Sequence, residues 1–211
     1  MKQNLLMERR QKVVKEMLML IGEDPSRDGL KDTPLRVAKM WNEIFGGYHS
    51  KNKPIITVFN NGSDGIVYDQ MACDTGRFYS NCEHHMLPII GSYYFGVVYN
   101  PQGKILGLSK VARVVDYFAT RLQVQERLGH QIVKELWNRL EIPNDIGDRP
   151  GPNKKKEPLA MGLVLEAKHL CKSMRGVKKD GMMRTTILKG TFKTDIAARA
   201  EFIDWVNSNG R

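Results

Sequence analysis

The chain has few cysteines, no long apolar run, no glycine-rich phosphate loop and no internal repeat. Each absence excludes something. Three cysteines in 211 residues, Cys73, Cys82 and Cys171, cannot build a disulfide framework, and the odd count leaves at least one thiol unpaired. A reducing compartment suits that usage, and the expected location is cytoplasmic. Nowhere do about eighteen apolar residues run together, so no membrane helix is expected. Residues 1–10 carry Lys2, Glu8, Arg9 and Arg10 with no apolar signal-peptide segment. Without a Gly-rich loop of either standard type, a nucleotide would have to be held by side chains.

What the chain does have is positive charge. Thirty-three Lys and Arg against 23 Asp and Glu give a formal net charge of +10, which favours an anionic partner. The densest basic run, Lys154-Lys155-Lys156, lies in a Pro- and Gly-rich stretch over 143–158 that reads as an exposed loop. It has no interleaved aromatics of the kind that stack on bases, which argues against nucleic acid.

Periodicity divides the chain. Apolar positions Leu6, Val13, Met17, Leu20 and Ile21 predict an amphipathic helix over 5–21, stopped by Gly22 and Pro25. Thr33-Pro34 reads as a cap and first-turn proline for a second helix ending at Gly46-Gly47. These are expected to form an N-terminal helical appendage, 1–50, that would pack on the main domain or on another subunit; residues 51–211 are expected to form the main domain, which holds every candidate for chemistry. Strands are expected at 55–59, 66–68, 77–80 and 89–99, with Asn100-Pro101-Gln102-Gly103 folding the last back into 104–108. Helices follow over 109–122, capped by Ser109, and 124–140, then strands over 161–167 and 185–192 and a helix over 196–206. This is an α+β fold, a largely antiparallel sheet with two helices packed on one side.

Cys82-Glu83-His84-His85 and the distant His169-Leu170-Cys171 carry the chemistry. A Cys-x-x-His pair is a weak metal signal alone, but a second segment in which His169 and Cys171 alternate at a strand end would aim both at one ion. Cys82, His85 and Cys171 are the candidate ligands for Zn²⁺, with His84 and His169 beside it. Three ligands leave a position for water, whose pKa a catalytic zinc lowers toward ~7. A structural zinc taking four of these five residues stays open at this level, as does a nucleic-acid-binding protein built around one.

These runs, with Gly107-Leu108-Ser109-Lys110, Gln123-Val124-Gln125-Glu126-Arg127-Leu128 and the stretch from His169 to Gly176, resemble GTP cyclohydrolase I, the type I zinc enzyme. Asp32-Thr33-Pro34 and Arg36-Val37-Ala38-Lys39-Met40 extend the likeness, which covers about residues 20–205. It implies a tunnelling fold, a homodecamer of two pentameric rings, and hydrolysis of GTP to 7,8-dihydroneopterin triphosphate and formate. It makes Cys82, His85 and Cys171 the zinc ligands and His84 and His169 catalytic. Glu126 and Gln125 would hold the guanine, while Arg36, Ser109, Lys110, Arg113 and Arg175 would face the triphosphate. A related tunnelling-fold enzyme for another purine or pterin is the alternative. The 143–158 loop is longer than is usual in the family, and residues 177–186 carry fewer Ser and Thr, so contacts in those two places are expected to differ.

Overall fold

The computed structural model describes residues 2–107, 109–140 and 158–210. The predicted loop over 143–158, except its last residue, falls outside them, as does Leu108 of the Gly-Leu-Ser-Lys run. Helix α1 (Lys2–Leu20) packs on α2 (Thr33–Ile44), and two short 3-10 turns, Gly46–Tyr48 and Ser50–Asn52, lead to the sheet. Asp32, not Thr33, takes the cap position of α2, and no side chain closes that cap. Only Val14 of α1 is a buried hydrophobic; Leu6, Val13, Met17, Leu20 and Ile21, the predicted apolar face, are exposed.

Among the described residues, the central sheet has five strands in the order β5 (Leu122–Gln123), β2 (Met71–Cys82), β3 (Pro88–Val98), β6 (Ala160–His169), β7 (Met182–Gly190). All pairings are antiparallel except the short β2–β5 contact, where Cys82 lies beside Gln123. A separate two-stranded sheet joins β1 (Val58–Asn60) to β4 (Lys104–Leu106). The turn at 100–103 therefore does not return the chain onto β3. Residues 66–68 form no strand either, because the Asn61 side chain bonds both the carbonyl (2.7 Å) and the N–H (2.8 Å) of Tyr68 and holds the segment as a loop.

Strand alternation sets two cores. On one face Phe78, Tyr93, Phe95, Leu163 and Leu165 pack against α3 (Lys110–Ala119) through Val114, Val115 and Phe118, and against α4 (Gln125–Leu140) through Leu128, Ile132 and Leu136. Each such side chain, fully buried, contributes roughly 1.5–3 kcal/mol. On the other face Tyr94, Ala160 and Val164 meet Phe192 of the short α6 (Thr191–Thr194) and Phe202 and Val206 of α7 (Ile196–Asn209). The Asp195 carboxylate caps α7 by accepting from the Ala198 N–H at 2.9 Å. Two helices thus cover one side, as expected, and the C-terminal helix adds cover on the reverse.

Helix α3 runs alongside β2. The Ser80 hydroxyl donates to the Ala119 carbonyl at 2.7 Å, which fixes the C-terminal end of α3 two residues from Cys82. Lys110, nine residues back, is about 14 Å further along the helix axis.

Candidate active site

Strand β2 ends at Cys82 and reverses in a tight turn. The Cys82 carbonyl accepts from the Met86 N–H and the Cys82 N–H donates to the Leu87 carbonyl, both at 2.8 Å. Met86 sits at φ 55, in the left-handed region that side chains other than Gly seldom occupy. The reversal leaves His84 and His85 exposed at the rim while Cys82 is buried. Across the sheet, β6 ends at His169 and the chain enters one helical turn, α5 (Leu170–Ser173), so Cys171 is not a strand residue alternating with His169. The helical turn brings Cys171 beside Cys82 and His85 instead.

Among the described residues, Cys82, His85 and Cys171 converge, with one ligand atom from each all within 4.8 Å of one another. With Zn–S bonds of about 2.3 Å, tetrahedral ligand atoms stand about 3.8 Å apart, so a contraction of roughly 1 Å closes the group on an ion. Two thiols and an imidazole, one buried, one half-buried and one exposed, are a borderline-soft set with an open side, and they fit zinc. His84 Nδ1 is 3.8 Å from Cys82 Sγ, against 4.0 Å for His85 Nδ1, yet His84 does not join the converging group. Burial pushes the Cys171 thiol up, and the neighbouring Cys82 thiol adds to the rise.

The surrounding residues are ordered by hydrogen bonds. Arg175 Nη1 donates to His85 Nε2 at 2.7 Å. His169, half-buried, lies 2.8 Å through Nε2 from Gln125 Oε1, and burial draws its pKa down against the opposing pull of the Glu126 carboxylate. Glu126 itself is exposed in the first turn of α4. Gln125, by contrast, is 1% exposed, its amide nitrogen within 3.1 Å of the Leu165 and Met183 carbonyls and the Thr185 hydroxyl.

Sequence reasoning missed the brace behind the metal turn. Arg127 pairs with Glu83, and this holds the Glu83 carboxyl below its usual range. Arg127 Nε also donates to Gln123 Oε1 at 3.1 Å, while Gln123 Nε2 donates to the Phe118 carbonyl (2.9 Å) and to Gln131 Oε1 (2.8 Å). Arg127 and Gln131 lie one helical turn apart on α4, and Gln123 reaches both from β5.

The remaining candidates lie elsewhere in the chain. Ser109 precedes α3 without capping it through its side chain, and Lys110 and Arg113 occupy the end of α3 remote from Cys82. Arg113 lines an open cleft of about 550 Å³ with Asn42, Glu43 and Asp116. Arg36 is exposed on α2 and reaches Asp32 at 3.5 Å.

An antiparallel sheet backed by two helices, with a Cys-His-Cys group and further imidazoles near one end, defines the class as an α+β protein with a candidate metal centre at the sheet end. The sequence profile of the family GTP cyclohydrolase I matches residues 10–147 and 153–207, passing over 148–152 within the predicted long loop. The chain is 43% identical over 203 residues to the GTP cyclohydrolase 1 of Caldanaerobacter subterraneus subsp. tengcongensis, covering 95% of this chain and 97% of that one. It is 41% identical to the enzymes of that name from Mycolicibacterium vanbaalenii, over 94% of this chain and 89% of that one, and Coxiella burnetii, over 92% and 95%. The chain belongs to the GTP cyclohydrolase I family. No helix among the described residues is long and apolar enough to cross a membrane.

Proposed function

We propose that this chain is a zinc-dependent GTP cyclohydrolase I that hydrolyses GTP at purine C8 to give 7,8-dihydroneopterin triphosphate and formate. This is the first step toward pterins and tetrahydrofolate, or toward deazaguanines, and it would take place in the cytoplasm. The convergence of Cys82, His85 and Cys171 beside two further histidines carries the reading. Cys82, His85 and Cys171 would hold the zinc, which supplies Lewis acidity and an activated water when bound.

The chain's own residues do the rest. His84, exposed at the rim, gives a proton to the imidazole ring as its C8 bond opens, and His169 serves the later transfers. The Glu126 carboxylate accepts from guanine N1–H and the exocyclic amine, a pair that adenine lacks. Ser109, Lys110, Arg113, Arg175 and Arg36 supply the cations and hydroxyl for the triphosphate.

Lys110 and Arg113 stand at the end of α3 remote from their own chain's Cys82. That separation supports a site completed by a neighbouring copy in a homo-oligomer, with a decamer of two pentamers as the form proposed. Among the described residues β7, and β2 outside its short pairing with β5, have one strand neighbour each and offer edges for such contacts. Residues 1–50 are proposed as the appendage and 51–211 as the catalytic domain.

His84→Ala and Cys171→Ala test the roles. The first is expected to abolish formate release from GTP while keeping zinc, and the second to lose both. The reverse pattern would reassign the ligands.

A further inference from the structure

Gln125 is the first residue of α4 and is 1% exposed, an unusual place for a polar side chain unless every polar atom is matched. Its amide nitrogen lies 3.0 Å from the Leu165 carbonyl, 3.0 Å from the Met183 carbonyl and 3.1 Å from Thr185 Oγ1. Carbonyl oxygens only accept, so the amide cannot be turned the other way round without setting an oxygen against two oxygens. Leu165 and Thr185 are register partners across β6 and β7, so the amide is anchored on two adjacent strands.

That anchoring decides what the opposite end does. Oε1 has one partner among the described residues, His169 Nε2 at 2.8 Å. An amide oxygen only accepts, so Nε2 must carry the hydrogen. In the neutral ring Nδ1 is then the bare nitrogen. The resemblance puts Gln125 against the purine, but both ends of its amide are occupied within the protein.

We infer that Gln125 is a positioning residue: it fixes the ring plane and the Nε2–H tautomer of His169 and so leaves Nδ1 as the atom that exchanges protons with the reacting purine. A residue that merely pinned α4 to the sheet would need the three contacts of its nitrogen and nothing from its oxygen. The kinetic part of the inference rests on the hydrolase reading, whereas the tautomer does not.

The experiment is magic-angle-spinning NMR of the sedimented, zinc-loaded full chain with ¹⁵N-labelled histidine at about pH 8, above the ordinary histidine pKa of ~6.5. His169 is identified by its loss in His169→Asn. Wild-type protein is expected to show His169 with Nε2 protonated and Nδ1 bare; an Nδ1–H ring would overturn the inference whether or not GTP is the substrate. In Gln125→Met the His169 signals should change to a mixture of tautomers, and kcat for GTP should fall about 10- to 100-fold with KM nearly unchanged. Unchanged His169 signals, or a rise in KM at constant kcat, would count against it and restore a substrate-holding role. If Gln125→Met fails to fold, the wild-type spectrum decides alone.

Discussion

Replacing Gly162 by Ala is expected to destabilise the protein without touching its chemistry. Gly162 pairs with Gly96 across β3 and β6, and the two leave a slot on the sheet face that α7 covers. A Cβ on Gly162 would stand 2.5 Å from Phe202 Cε1 and 2.9 Å from Cδ1 and Cζ; one on Gly96 would stand 2.6 Å from Cδ2. Ordinary carbon contacts are about 3.5–4.0 Å, so the ring must retreat by roughly 1 Å. It has little room to do so, being fully buried and stacked on Phe192 with ring centroids 5.1 Å apart. Overpacking of this kind costs about 1–3 kcal/mol, whereas the unfolded-state gain from Gly→Ala is about 0.4–1 kcal/mol, so destabilisation wins. At about 2–4 °C per kcal/mol for a chain this long, calorimetry should show Tm lower by several degrees. Phe202→Leu should cost less in the Gly162→Ala background than alone, with a coupling on the order of 1 kcal/mol. Formate release per folded protein should stay at the wild-type level, because the metal cluster is reached from the other strand ends and face. An unchanged or raised Tm for Gly162→Ala would refute the seating of Phe202 on the glycine pair.

Mixing two inactive variants tests the shared site: Lys110→Ala and His84→Ala, unfolded and reassembled together, should recover part of the wild-type turnover, and no recovery would place both residues in one chain's site. Glu126→Gln should reduce kcat/KM for GTP by at least about 10-fold, the loss of a charged acceptor for two donors, and equal rates for variant and wild type would remove Glu126 from guanine recognition. Burial pushes the Cys73 thiol from 9.0 up to about 11, so the folded state keeps a proton that the unfolded chain releases. The stability this gives is complete below pH 9.0 and is lost as pH rises toward about 11. Urea midpoints should therefore fall less steeply over that window in Cys73→Ala than in wild type; parallel slopes would contradict the assignment.

Much of the architecture was legible because periodicity reports burial. The apolar stripes of α3 and α4 face the core, and the apolar stretches read as strands at 89–99 and 161–167 form β3 and β6, which pack on both faces. Partner choice was not legible: the pattern of residues 104–106 fits either β3 or β1, and nothing local says that β1 wins. Strand β2 was read too short because Asp74, Thr75 and Gly76 interrupt its apolar run, though Tyr93 opposite Gly76 and bonded to Asp74 makes that stretch part of the sheet. At the site, residue types identified the converging Cys82, His85 and Cys171, whereas the helical turn carrying Cys171 and the inward turn of Gln125 are three-dimensional facts with no short-range signature. Arg127 had no role assigned to it from sequence, and its pairing with Glu83 ties α4 to the turn that carries His84 and His85.

The most direct measurement is the fate of purine C8. Zinc-loaded protein incubated with GTP labelled at C8 should release that carbon as formate, in step with a pterin that becomes fluorescent on oxidation, and removing the metal with a chelator should stop both. A folded, metallated sample that leaves the label in the nucleotide would contradict the account.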